Sequence, residues 1–212
     1  AMKKIESELN LYNDDSELTR LNRDKKLESP SEDLKNNITR SLYFSNISDG
    51  AFDITVQPIL DLYNRSFKNN NSAPSGRMIK KELKKVGYKR ITIKDNKIMI
   101  GYDQIITLGG IAKGYAVDKA VEILKSRNIT MALIDASGNM RALGQKPGGV
   151  WNIAIKDPRD KSNYITIIPL NNNAVSTSGD YERYFDNDMK YHHIINPKTG
   201  YSATELISVT IV

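Results

Sequence analysis

The front and the back of this chain are patterned for different secondary structure, and that asymmetry rules out most architectures. Residues 3–23 set Ile5, Leu9, Leu18 and Leu21 in a charged background, the spacing of helices interrupted at the polar turn Asn13-Asp14-Asp15, with Asp15 or Ser16 capping the second. From Ser31 to Ser48, the positions of Leu34, Ile38, Leu42 and Phe44 predict another amphipathic helix that stops before Gly50. Phe67 to Gly76 is dense in turn residues and predicts a surface loop, followed by a short helix over 77–86. Arg90–Lys94 and Lys97–Gly101 alternate about Asp95-Asn96, the pattern of a tight hairpin. Gly114–Arg127 reads as a helix burying Ala116, Ala120, Val121 and Leu124. Beyond Met131 the chain is patterned for strands at 131–135, 151–156, 164–169, 174–178, 191–196 and 207–212. Helices first, strands last and one helix between them predict an α+β fold and not a doubly wound sheet. No repeat or linker divides residues 1–212, which are expected to form a single domain.

A hydrophobic content of 39% is enough for a buried core. The absence of cysteine removes disulfides, thiolate metal sites and cysteine nucleophiles from consideration. No run of apolar residues is long enough for a membrane span, and no signal peptide is visible. The opening at Ala1-Met2, inside a charged helical pattern, reads as a boundary with an export or anchoring segment expected upstream. The formal charge of +6 raises nucleic acid as a partner, but the lysines are spread over helix and strand surfaces without interleaved stacking aromatics, so no nucleic-acid partner is expected. A positive surface suits an anionic dinucleotide or an anionic membrane equally well.

Four stretches carry chemistry. In Thr107-Leu-Gly-Gly-Ile-Ala-Lys-Gly-Tyr-Ala-Val-Asp118 a strand end passes through glycines into a helix, where bare backbone and unpaired N–H groups suit a pyrophosphate; the same spacing fits a plain structural turn. In Asn173-Ala-Val-Ser-Thr-Ser-Gly-Asp-Tyr-Glu-Arg183, Thr177, Ser178 and the Gly179 N–H suit phosphate oxygens and Asp180 suits a proton or a metal-bound water; a Ser/Thr-Asp capping turn is the alternative. Tyr191-His-His-Ile-Ile-Asn-Pro-Lys-Thr-Gly200 holds both histidines of the chain. Alternation would send His192 and His193 to opposite faces, one to the core and one to function as a proton acceptor. In Gly50-Ala-Phe-Asp-Ile-Thr-Val-Gln-Pro58, Asp53 is either a cap or a group that orients a ligand ring or neighbouring backbone.

Together the four stretches resemble, in wording and order, the ApbE family of FAD:protein FMN transferases. Gly50–Pro58 is similar to its GxFDPTVxP block, Leu108–Asp118 to LGGIAKGYAVD, Ser178–Phe185 to SGDYERYF, His192–Gly200 to HHIIDPxTG, and Ser16–Asn22 to SExSRLN. The resemblance implies a central mixed or antiparallel sheet with flanking helices, of a T-fold-like kind. FAD would lie in a cleft as substrate, with Mg2+ at its pyrophosphate. It implies transfer of FMN to a Thr or Ser hydroxyl of an acceptor protein, a subunit of an electron-transfer complex, with release of AMP. It also implies an extracytoplasmic lipoprotein. By carry-over Gly109, Gly110 and Lys113 lie at the FAD phosphates and the Ala112 carbonyl at the metal. Thr177, Ser178, Gly179 and His192 would also contact FAD; Asn22 and Asp53 are ligand contacts. His193 is the preferred base, with Asp180 or His192 as alternatives.

The chain departs from the family pattern at Thr107 and Asn196, where the family has aspartate, and at Asp135-Ala-Ser-Gly-Asn139, where the family has NAGGD. In the last of these the closing carboxylate becomes the Asn139 amide, and each carboxylate lost removes a negative charge near the expected site and weakens a metal site. A family segment with an aspartate and a threonine as metal ligands is expected beyond Val212. Hydrolysis of FAD to FMN and AMP and a non-catalytic flavin-binding role are the competing readings. Redox catalysis is disfavoured, because no nicotinamide-binding fingerprint is present.

Overall fold

In the computed structural model, which describes residues 2–160 and 162–212, the chain gathers into two compact units that no linker in the sequence marks. The first holds residues 3–112 and 183–204; the second holds 113–182 and 205–212, together with Met2.

The first unit contains helices α1 (Met2–Leu9), α2 (Glu17–Asp24), α3 (Glu32–Ile47), α4 (Gln57–Asn70) and α5 (Gly76–Leu83). Serine caps set several of the starts: Ser16, Ser31 and Ser75 accept from the N–H of Thr19, Leu34 and Met78. Between Asp15 and Ser16, it is therefore Ser16 that caps α2. A three-stranded antiparallel sheet runs in the order β1 (Lys26–Glu28), β3 (Lys97–Met99), β2 (Thr92–Lys94). Its β2–β3 hairpin turns at Asp95 and Asn96, both at positive φ, as the sequence predicts. The pairing of β1 with β3 carries no local signal.

Three expectations are corrected in this unit. Phe44, placed by spacing on the buried stripe of α3, is 44% exposed. The buried face runs instead through Leu34, Asn37, Ile38, Ser41 and Ser45. The Ser41 and Ser45 hydroxyls donate back to the carbonyls of Asn37 and Ser41 at 2.7 and 2.8 Å, so these polar residues enter the core already satisfied. Residues 191–196 form no continuous strand. They make single bridges, Tyr184 to His192 and Ile195 to Ser202, because the turn at Pro197–Gly200 folds the segment back at once. The expected loop at Phe67 also begins later, since α4 continues to Asn70.

The core of this unit joins Ile59, Leu62, Tyr63, Ile79 and Ile195 to the rings of Phe67, Phe185 and Tyr191. Tyr63 stacks on Phe185 at 5.4 Å, is fully buried, and its hydroxyl has no partner among the described residues. Burial pushes the Tyr63 phenol up to about 12, so the folded state resists its ionisation while the unfolded chain ionises near 10. A raised pKa contributes stability that is present at neutral pH and lost between those two values. Tyr63→Phe is expected to leave the neutral-pH melting temperature unchanged or higher and to flatten its decline above about pH 10. Thermal denaturation at pH 8 and 11 tests this, and an unchanged alkaline decline in the variant would refute it.

The second unit carries α6 (Ala112–Ser126, entering from the first), whose face of Tyr115, Ala116, Val117 and Val121 is buried. A four-stranded sheet follows the order β4 (Ala132–Ala136), β5 (Asn139–Leu143), β8 (Ala174–Gly179), β9 (Ser208–Ile211), and a separate hairpin pairs β6 (Trp151–Lys156) with β7 (Tyr164–Leu170). Every ladder between the named strands is antiparallel. The α+β class is the observed one; β5 is a strand that spacing did not reveal.

Candidate functional site

In the first unit, the glycine stretch is held from behind. Asn22 on α2 donates from Nδ2 to the Ile106 carbonyl and accepts at Oδ1 from the Ile106 N–H, both at 2.8 Å. This amide, 9% exposed, reproduces the bond pair of a β-ladder and fixes the backbone that enters Thr107–Gly110. The Thr107 N–H donates to Ile54 at 2.8 Å, tying the stretch to the turn after Asp53. Asp53 itself accepts from the Thr55 N–H and hydroxyl at 2.8 and 2.6 Å and from the Tyr88 N–H at 2.9 Å. Of its two sequence readings, the hydrogen bonds describe the cap that orients neighbouring backbone.

Gly109, Gly110 and Lys113 are exposed, and Ala112 opens α6 with its N–H on the Leu108 carbonyl. A Cβ on Gly110 would sit 3.0 Å from the Phe52 ring, a close approach that glycine permits. Gly110 and Ile111 line an apolar cavity of about 410 Å³ with Phe44, Ile47, Ser48 and Phe52. The exposed Phe44 that contradicts the α3 stripe is thus a wall of this cavity, a placement periodicity could not have shown.

The two histidines differ in burial, although the segment that holds them is not the continuous strand on which alternation depends. His192 is 3% exposed; its Nδ1 accepts from the Ile194 N–H at 3.3 Å, so Nε2 carries the proton and donates to the Ala203 carbonyl at 2.8 Å. Both ring nitrogens are committed to backbone. His193 is half-buried, and its Nδ1 lies 3.0 Å from the Arg183 carbonyl. A carbonyl only accepts, so Nδ1 carries the proton and the basic lone pair of the ring is on Nε2.

In the second unit, Thr177 and Ser178 lie on β8, with the Thr177 hydroxyl 2.8 Å from that of Thr210 on β9. Gly179 is buried, and a Cβ there would fall 2.2 Å from the Tyr181 ring. Asp180 follows, 7% exposed, and accepts from Arg159 Nη1 and Nη2 at 2.8 and 2.6 Å. The pair holds the Arg159 guanidinium above its ordinary value. Charge-assisted bonds on both oxygens make Asp180 a poor proton acceptor. Sequence reasoning missed Arg159, which belongs to the loop between β6 and β7; no spacing rule links it to Asp180. Asn139, at the departure from NAGGD, accepts from the Ser176 hydroxyl at 2.8 Å and so joins β5 to β8.

The pair invites a double-mutant cycle. Arg159→Gln and Asp180→Asn are each expected to destabilise by about 1–2 kcal/mol, discounted because the arginine is partly exposed, with the double variant losing less than the sum. Additive losses in urea denaturation would show that the two groups do not act as a pair. Among the described residues, no three or more acidic, imidazole or thiol side chains converge as a metal site.

The model of the ApbE family matches residues 1–212. The chain is 30% identical over 225 residues to a FAD:protein FMN transferase of Haemophilus influenzae, covering 100% of this chain and 65% of that protein. It is 32% identical over 195 residues to the one of Treponema pallidum, covering 82% and 53%. It therefore spans about half to two-thirds of the length of these relatives. Among solved structures, it is similar to an ApbE protein from Thermotoga maritima, with a TM-score of 0.89 and 38% identity over 98% of this chain and 69% of that one. It is similar also to the flavinyl transferase ApbE of Pseudomonas stutzeri, with a TM-score of 0.82 and 29% identity over 98% and 67%.

Proposed function

The chain belongs to the ApbE family, and on that premise we propose that it transfers the FMN half of FAD to a threonine or serine hydroxyl of an acceptor protein. The acceptor oxygen attacks the phosphorus of the FMN phosphate, the bond from that phosphorus to the bridging oxygen breaks, and AMP leaves with that oxygen. The hydroxyl proton passes to a base. The observation that carries this reading is His193: its Nδ1–H donates to the Arg183 carbonyl, which orients the ring and keeps Nε2 as the acceptor. His192, with both nitrogens bonded to backbone, holds the segment that carries His193.

The remaining residues act by position. The exposed Gly109 and Gly110 leave backbone open to the pyrophosphate at the start of α6, where the helix end and Lys113 favour negative charge. Thr177, Ser178 and Gly179 form the second group of proposed phosphate contacts. Asp180, neutralised by Arg159, serves as an anchor for that turn. Asn22 and Asp53 act one step back, on the backbone that presents the glycines and Phe52.

Magnesium belongs to the same proposal, with the Ala112 carbonyl as a ligand and charge neutralisation at the pyrophosphate as its contribution. The described residues bring no carboxylate cluster to it, and Thr107 supplies a hydroxyl where the family has a carboxylate, so the steps above rest on the chain's own groups. No described helix is long and apolar enough to cross a membrane. Extracytoplasmic placement through a lipid anchor is a further part of the proposal, carried by the resemblance.

The test is incubation with FAD, magnesium and a threonine-bearing acceptor, read by mass spectrometry. A mass gain of FMN on the acceptor, with AMP released, is the expected result. AMP with free FMN and an unmodified acceptor would show hydrolysis, and FAD bound but intact would show a binding role.

A further inference from the structure

Although the lysines are spread along the chain, their excess over carboxylates is not. Residues 77–90 carry seven cations and one carboxylate, so this segment alone equals the formal charge of +6, and the rest of the chain is balanced. The excess also has a direction. Arg77, Lys80, Lys81 and Lys84 recur at helical spacing and are all exposed, while Ile79, 1% exposed, and the half-buried Leu83 turn inward on the Gly200 turn. Lys85 is paired with Glu82 and Arg90 with Asp103. Arg77, Lys80, Lys81 and Lys84 make no ion pair with an acidic group among the described residues, whereas Lys89 lies within electrostatic reach of Asp49. Two exposed apolar groups flank them: Met78, at 46%, and Tyr102, at 91%, in the turn that the Arg90–Asp103 pair pins beside the segment.

We propose that this cationic face of α5 and the segment to Arg90 docks on an anionic lipid surface. The chemistry favours a bilayer over a fixed acidic protein. Three of the four unpaired cations are lysines, mobile point charges that suit a fluid layer of phosphates, whereas a protein epitope is read by arginine forks and aromatic anchors set in pockets. The face is a convex helix side, and an exposed tyrosine at its edge is the residue type that settles at headgroup depth. A basic face of this kind associates weakly and reversibly, adding to any other attachment without replacing it. This inference is independent of the reaction proposed above.

Co-sedimentation of the intact chain with vesicles of phosphatidylcholine containing about one-third phosphatidylglycerol tests it. Binding is expected at low salt, strongly reduced at high salt, and absent with pure phosphatidylcholine. Lys80→Glu, Lys81→Glu and Lys84→Glu together are expected to weaken binding about a hundredfold, and the three Lys→Gln changes by about tenfold or more. Lys125→Glu, Lys146→Glu and Lys156→Glu make the same change of net charge on exposed positions elsewhere and are expected to leave most of the binding intact. Circular dichroism confirms that each variant is folded. Equal losses in the two charge-reversed sets, equal binding to neutral vesicles, or tighter binding of the same face to duplex DNA or an acidic protein would overturn the assignment.

Discussion

His193→Ala is expected to slow FMN transfer by about a hundredfold to ten-thousandfold while FAD binding changes little, because the ring acts on the acceptor's proton and not on the bound dinucleotide. His192→Ala separates chemistry from structure. Its ring is 3% exposed with both nitrogens bonded to backbone, so its removal strips these bonds from the Ile194 N–H and the Ala203 carbonyl. That variant should melt at lower temperature and, where still folded, transfer FMN at a rate closer to the parent's. Single-turnover kinetics with saturating FAD decide the matter. A His193→Ala chain that transfers at the parental rate would remove His193 from the chemistry, and the same loss in both variants would mean a shared structural effect.

Asn22→Ala is expected to cost about 2–4 kcal/mol of stability, among the largest effects of any single polar substitution in the chain. It strips both partners from the backbone of Ile106, a residue fully shielded from solvent. The loss reaches function through Thr107–Gly110, whose approach is set by that clamp, so FAD affinity should fall together with stability. Asn22→Asp keeps the acceptor for the Ile106 N–H but sets a carboxylate oxygen against the Ile106 carbonyl. It should be at least as damaging at neutral pH and partly recover on acidification, when the protonated acid can donate. Urea denaturation and flavin fluorescence titration read the two consequences. An Asn22→Ala chain of parental stability would mean that the clamp is not needed to hold the glycine turn.

What could be read from the sequence is what short-range chemistry decides. Ser16 and Ser31 cap helices because a hydroxyl one residue before the first turn reaches an N–H three residues on, and Asp95-Asn96 turns a hairpin because those residues tolerate positive φ. The family blocks marked out the glycine stretch and the Ser178-Gly179-Asp180 stretch with no reference to fold, whereas the burial of His192 beside a half-buried His193 came from the backbone around them and not from strand alternation. The tertiary structure decided everything that depends on partners distant in sequence. Asn22 and Ile106 are 84 positions apart, Arg159 and Asp180 are 21 apart, and β1 finds β3 across the whole of α3 to α5. The buried serines of α3 and the exposed Phe44 reversed the simple hydrophobic reading for the same reason. A hydroxyl that bonds back one turn along its own helix is able to enter a core, and an aromatic ring can stay outside one to wall a cavity, but which side of the helix is covered is decided by elements distant in sequence.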